Sequence, residues 1–260
     1  MTDLLQAALL GIIEGVTEFL PISSTGHLLI AEHWLGARSE LFNIAIQAGA
    51  ILAAVAVFWP RLRQLLLGLS VRENRDYLAK LLFAFAITVA GGLIAKKLGA
   101  ELPKTVAPVA SALIIGGVII LWVEWLVANR ALVTEVTWSV AFWVGSCQVL
   151  AAVFPGTSRS AATIFAAMLA GLTSRPAATE FAFLVGIPTM FAATAFEFLK
   201  ARGTAPMPED WRAFALAFVV SAIVAFIAVK WLLRYVQTHR FTIFAWYRIA
   251  AGIALLALVH

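Results

Sequence analysis

Glu14 and Glu18 stand four residues apart, so on a helix both carboxylates project from one face. Like charges there repel unless a proton, a divalent cation or an arginine relieves them. Oxygen ligands of this kind suit Mg2+ or Ca2+, and nothing in the chain suits zinc. Ser23, Ser24 and Thr25 follow, just ahead of Gly26 and His27. Capping the next helix would explain one hydroxyl. A hydroxyl with a neighbouring imidazole is also the pair from which a nucleophile and its base are made. Much further on, Arg159 is the only basic residue between Arg130 and Arg175, and it sits among Thr157, Ser158, Ser160 and Thr163. Helix N-terminal amides, a guanidinium and several hydroxyls together form a phosphate clamp. The alternative is an arginine that pairs with Glu14 or Glu18 for structure alone. Gln148 could hydrogen-bond near such a site, whereas Asn43 and Gln47 read as helix–helix glue. Glu180 beside Arg175 reads as an ordinary interfacial pair, and Glu197 and Arg248 as structural partners.

The elements that must carry these groups are apolar. The 260 residues are 62% hydrophobic and 13% charged, with a mean hydropathy of +0.94. That excludes a soluble enzyme, a disordered regulator and a disulfide scaffold, and leaves an integral membrane protein. Six stretches are long enough to span a bilayer as helices: 41–59, 78–97, 106–127, 177–200, 212–236 and 242–259. Two others, 3–36 and 138–171, are broken by Pro21-Ile22-Ser23-Ser24-Thr25-Gly26 and by Pro155-Gly156-Thr157-Ser158-Arg159-Ser160. Lipid cannot satisfy bare backbone, so each break must face protein or a wet cavity, and each stretch reads as a re-entrant hairpin.

A shift of 134 residues lays Glu14 on Gln148, Pro21 on Pro155 and Ser24 on Ser158. Each half, 1–127 and 128–260, then holds one hairpin and three spans within a single membrane domain. Three is odd, so the second half enters the membrane inverted, and the two breaks meet near the midplane. The expected fold is an all-α polytopic membrane protein, with six transmembrane helices plus two re-entrant helical hairpins arranged as an inverted repeat. Placing the 60–77 linker in the cytoplasm puts Arg61, Arg63, Arg72, Arg75, Arg130 and Arg240 inside. Lys96, Lys97, Lys104, Lys200, Arg202 and Arg212 remain on the other side, so the bias is modest.

The net charge of +5 belongs to such loops rather than to a nucleic-acid interface, and no nucleic-acid partner is expected. Cys147, the single cysteine, reads as a small buried hydrophobe. The N-terminus lacks the basic region of a signal peptide, so the first segment is expected to stay in the mature protein.

At these residues the sequence resembles the undecaprenyl-diphosphate phosphatase family, also called bacitracin-resistance proteins. The first match runs from Glu14 through Glu18, Pro21, Ser23, Ser24, Thr25 and Gly26 to His27. The second runs from Pro155 to Thr163, and residues 175–190 also look familial. Ala161 departs from the pattern, standing where the family usually has glycine. The resemblance implies removal of the terminal phosphate of undecaprenyl diphosphate, which recycles the lipid carrier for peptidoglycan synthesis and confers bacitracin resistance. It implies a bacterial inner membrane, a site open to the periplasm and a divalent cation. Carried over by position, Glu14, Glu18, Ser24, His27 and Arg159 are the catalytic core, with Glu14 and Glu18 also holding the metal. Ser23, Thr25, Gly156, Ser158, Ser160, Thr163 and Gln148 are substrate contacts. The partners are the polyprenyl diphosphate and membrane lipid, and a homodimer is compatible with the chain.

The expected chemistry is in-line displacement at the terminal phosphorus. Ser24 attacks with His27 as base and a glutamate orienting it, and water then cleaves a phosphoseryl intermediate. Direct attack by His27, or water activated by it, is the alternative. A lipid or anion transporter is the rival function, since inverted repeats with broken helices also build transporters. Another membrane phosphatase superfamily ranks below both, because no later His-x-x-x-Asp completes its acid–base set.

Overall fold

The computed structural model describes residues 2–100, 105–201 and 210–258. Within them the chain is all helix. α1 (Asp3–Thr17) and α2 (Ser24–Leu35) form the first broken pair, followed by α3 (Glu40–Leu67), α4 (Arg72–Lys97) and α5 (Val106–Val127). α6 (Trp138–Val153) and α7 (Arg159–Leu169) form the second, followed by α8 (Arg175–Ala201), α9 (Trp211–Thr238) and α10 (Thr242–Leu258). Short polar side chains start several of these helices. Ser39 accepts the Phe42 amide at 3.1 Å, Thr137 that of Val140 at 3.2 Å, and Asp210 that of Arg212 at 3.1 Å.

Five helices, α3, α4, α5, α8 and α9, are long and apolar enough to cross a membrane. α10, expected as a sixth span, is a shorter apolar helix. Large apolar side chains stand exposed on these helices, and all nine tryptophans are exposed, as a lipid-facing surface requires.

Two expectations need correction. The 60–77 linker is mostly helix: α3 runs through Pro60 to Leu67, and only 68–71 separate it from α4. Proline removes one amide from the ladder, but Arg61-Leu-Arg63-Gln-Leu-Leu continues a good helical sequence beyond it. From the capping serines onward the correspondence between the halves is 135 residues rather than 134. Ser24 and Glu40 start helices 135 residues before Arg159 and Arg175 do. The second break has one more residue between its proline and its capping serine, so aligning the prolines misaligns the caps. Ser23, not Ser24, is therefore the counterpart of Ser158, whereas ahead of the break the 134-residue shift still lays Glu14 on Gln148 and Gly11 on Gly145. Lys104 and Arg202, counted above among the loop charges, lie outside the described residues.

Packing follows the same correspondence. α1 lies against α9, and its counterpart α6 lies against α4; α3 meets α8 and α5 meets α10. Small residues permit the close contacts. A Cβ on Gly11 would meet the Ala217 carbonyl oxygen at 2.6 Å, and one on Gly15 the Ser221 oxygen at 2.7 Å. A Cβ on Gly145 would meet the Ala84 oxygen at 2.5 Å. Where lipid replaces water outside, such backbone approach is the main source of helix association. Ser221 Oγ to Ile46 O at 2.6 Å and Thr88 Oγ1 to Gly145 O at 3.0 Å add hydrogen bonds at these crossings. The carboxylate of Glu180 pairs with Arg61 of α3 at 3.0 Å, and Arg175 pairs with Glu124 of α5. The expected Glu180–Arg175 pair is not formed, because consecutive turns of α8 face different neighbours.

Candidate active site

Both breaks end in a serine with left-handed backbone. Ser23 has φ 75° and Ser158 has φ 67°, the two positive-φ non-glycine residues among those described. Each side chain caps the helix it precedes, accepting from Gly26 N at 3.4 Å and from Ala161 N at 3.3 Å. Left-handed backbone costs a non-glycine residue about 1–2 kcal/mol, and it occurs here twice, at equivalent positions of the two breaks. Ser160 Oγ donates to Leu20 O at 2.9 Å and so ties the second helix start to the first break.

Glu18 lies at the end of α1 and is 7% exposed. Its Oε2 accepts the Ser24 hydroxyl at 2.5 Å, and its Oε1 accepts Arg159 Nη2 at 3.0 Å. One carboxylate thus joins the hydroxyl of the first motif to the guanidinium of the second. Arg159 reaches it across Gly186, where a Cβ would sit 2.2 Å from Nη1. Its guanidinium also lies 5.9 Å from the Phe19 ring centre. Glu14, one turn before Glu18, is 2% exposed, and its Oε2 has no hydrogen-bond partner. Glu18 and Arg159 are the charged groups whose fields reach it.

A cavity of about 230 Å3 holds these groups. It is lined by Glu18, Ser23, Ser24 and Thr25 from the first motif and by Gly156, Ser158 and Arg159 from the second, with Gln47, Thr88 and Gln148 beside them. A larger cavity of about 730 Å3 shares Ser24, Thr25, Gln47 and Ala152 with it and extends to Glu14, Arg38, Glu40, Lys96 and Glu197. Two helix N-termini therefore face one water-accessible space, the arrangement that binds anions.

His27 is placed differently from expectation. Its Nδ1 lies 2.7 Å from Ser23 O, which can only accept, so the proton resides on Nδ1. Nε2 then accepts the Tyr247 hydroxyl at 2.6 Å, with the two rings nearly parallel. Both ring nitrogens are engaged away from Ser24, whose hydroxyl faces Glu18 instead. Thr163 is buried and bonds back to Arg159 O at 2.8 Å, so it stabilises α7 and lines neither cavity. Ser160 is likewise spent on Leu20. Gln148 Nε2 donates to Thr88 Oγ1 at 3.0 Å, leaving its buried Oε1 without a partner.

Tyr247, Arg248, Gly186 and Thr88 were not anticipated as parts of the site. Arg248, fully buried on α10, donates to Pro21 O at 3.2 Å and to Thr157 O at 3.1 Å, one carbonyl from each break. A lone charge inside the apolar 242–258 stretch was the one available signal for it. Among the described residues no three His, Cys, Asp or Glu groups cluster as a metal site. The unpartnered Glu14 oxygen beside a second carboxylate nevertheless fits a hard cation, since Mg2+ is commonly held by one or two carboxylates with substrate phosphates completing the shell.

The chain is similar to known proteins over nearly its whole length. A sequence model of the family described as bacitracin resistance protein BacA matches residues 7–254. The undecaprenyl-diphosphatase of Rhizobium etli (strain CIAT 652) is 62% identical over 257 residues, covering 98% of this chain and 97% of the relative. The protein of the same name from Stenotrophomonas maltophilia (strain K279a) is also 62% identical, and that from Xanthomonas oryzae pv. oryzae (strain PXO99A) is 56% identical, each with the same coverage. With both polar breaks, the cavity between them and nearly every helix inside the matched region, the chain belongs to the bacitracin resistance protein BacA family.

Proposed function

We propose that this membrane protein is an undecaprenyl-diphosphatase, which hydrolyses undecaprenyl diphosphate to undecaprenyl phosphate and inorganic phosphate. It thereby recycles the lipid carrier for peptidoglycan synthesis and confers resistance to bacitracin, which sequesters the diphosphate. The observation that carries this reading is the Glu18 carboxylate, shared between the Ser24 hydroxyl and the Arg159 guanidinium at the floor of an anion-binding cavity. The names of the similar proteins support the substrate.

Ser24 Oγ attacks the terminal phosphorus while its proton passes to Glu18 Oε2, the acceptor it already faces. The bond from phosphorus to the bridging oxygen breaks, and undecaprenyl phosphate leaves with the electron pair. Arg159 and the amides that start α2 and α7 hold the phosphoryl oxygens as charge redistributes. Water then adds to the phosphoseryl phosphorus, and Ser24 Oγ departs with the proton from Glu18. His27 holds the left-handed Ser23 carbonyl and thereby the start of α2. Glu14 and Glu18 would hold a divalent cation, whose contribution when bound is to neutralise phosphate charge.

The two halves are read as inverted relative to one another, with α1–α2 and α6–α7 as re-entrant hairpins. α10 is read as a sixth, shorter crossing. The larger cavity reaches Glu40 at the start of α3 and Lys96 at the end of α4, the bundle end opposite Arg61, Arg63, Arg72 and Arg75. With the arginine-rich end in the cytoplasm, the mouth faces the periplasm of an inner-membrane protein.

Phosphate release from undecaprenyl diphosphate by the purified protein tests the reading. The unaltered chain is expected to turn over and to lose activity with a chelator. Glu18→Gln is expected to be slower by roughly 10^2–10^4-fold. Absence of release from the unaltered chain overturns the function, and near-normal turnover in Glu18→Gln overturns the assignment of the base.

A further inference from the structure

We propose that Arg248 is a positioning residue for this reaction: by gathering carbonyl oxygens from both polar breaks it sets where Ser24 stands relative to Arg159. The inference rests on the phosphatase reading of the site. Arg248 is 0% exposed and forms no ion pair with a carboxylate among the described residues. All its bonds go to backbone carbonyls. Nη1 donates to Pro21 O at 3.2 Å, in the first break. Nη2 reaches Gly156 O at 3.2 Å and Thr157 O at 3.1 Å, in the second. Nε donates to Leu113 O at 3.3 Å and Nη2 to Ala112 O at 3.0 Å, which fixes the group against α5.

Pro21 lies three residues before Ser24, and Thr157 two residues before Arg159. The guanidinium thus spans the backbone immediately ahead of the two groups that must meet on one phosphate. Arg248 lines neither cavity, so its influence on the chemistry passes through that backbone. Turning the Thr157 carbonyl toward Arg248 also points the N–H of Ser158, across the same trans peptide, the other way. Ser158 lines the reaction cavity, so the clamp helps orient a potential phosphate donor.

A buried cation without a counter-charge is expensive to keep in an apolar bundle, and an apolar side chain would fill the space more cheaply. The planar fork with five donors is the feature that no other side chain supplies. Gly116 leaves room for it, since a Cβ there would lie 2.2 Å from Nη2. Two substitutions therefore disturb the clamp in different ways. Arg248→Lys keeps the charge and loses the fork, and Gly116→Ala keeps the arginine and displaces it.

The test measures kcat and KM for undecaprenyl diphosphate with the full-length protein in detergent, for the parent, Arg248→Lys, Arg248→Gln and Gly116→Ala. Rates are expressed per folded molecule, from gel filtration and thermal unfolding. Misplacement of reacting groups by about 1 Å costs on the order of 100-fold. The three variants are expected to lose about that in kcat, with KM within about threefold. Rescue by lysine would assign the effect to charge and overturn the proposal. Parent-like kcat in folded Gly116→Ala would overturn it too, as would failure of all three to fold. A parent that releases no phosphate would overturn the phosphatase reading itself, and this inference with it.

Discussion

At the scale of single residues, the site turns on which group takes the proton of Ser24. His27 lies three positions along α2 and is the nearest base in sequence, yet its Nδ1 is committed to Ser23 O and its Nε2 to Tyr247. Glu18 is six positions away on the other arm of the hairpin and is the group that Ser24 faces. Sequence proximity favours His27, and the fold of the hairpin favours Glu18. The two roles make opposite predictions for one substitution. Asparagine places an amide N–H close to where histidine places Nδ1–H, so it preserves a bond to Ser23 O but cannot act as a base. If His27 holds the cap, His27→Asn should stay within about tenfold of the parent in kcat while His27→Ala loses 100-fold or more. Equal and large losses in both would restore His27 as the base. Steady-state phosphate release for the two variants decides the matter.

At the scale of elements, the two breaks do their work through strained caps. Ser23 combines an unfavourable φ with a favourable side-chain bond to Gly26 N. Alanine keeps the strain and loses the bond, at about 1 kcal/mol. Glycine loses the same bond at a cost of only a few tenths and relieves the backbone. Ser23→Gly should therefore unfold at a higher temperature than Ser23→Ala, by a difference corresponding to about 1–2 kcal/mol; the reverse order would remove strain from the account of the cap. The breaks themselves were legible in the sequence, because proline and clustered hydroxyls interrupt otherwise apolar stretches. Their register was not. Prolines are easy to align but do not form the cap, and the additional residue in Pro155-Gly156-Thr157-Ser158 shifts every later correspondence by one. The extent of α3 was also hidden, because Pro60 reads as a stop although a membrane helix can absorb it. α10 carries no motif, so Tyr247 gave no signal and Arg248 only that of a lone charge in an apolar stretch; both meet the site through hydrogen bonds that only the fold creates.

At the scale of the whole molecule, the polar interior opens toward one end of the bundle. Glu40 and Lys96 mark the mouth, and both lie at helix ends remote from the 68–71 turn that joins α3 to α4. A lipid diphosphate keeps its tail in the bilayer and needs only its head to enter, and a polar cavity between the two broken helix pairs that reaches Glu40 and Lys96 suits it. Orientation then decides from which side phosphate is released, and charge bias alone is a weak guide because basic residues remain at both ends. Single cysteines report it directly. Cys147 is only partly buried, so Cys147→Ser provides the background. Glu40→Cys, at an exposed helix start, should react with a membrane-impermeant maleimide in intact cells, whereas Arg72→Cys, exposed at the other end, should react only after the inner membrane is opened. The reverse pattern would turn the mouth toward the cytoplasm and would assign this protein to substrate presented on the inner leaflet. Labelling of both cysteines in intact cells would contradict α3 as a crossing, since Glu40 and Arg72 flank its full length.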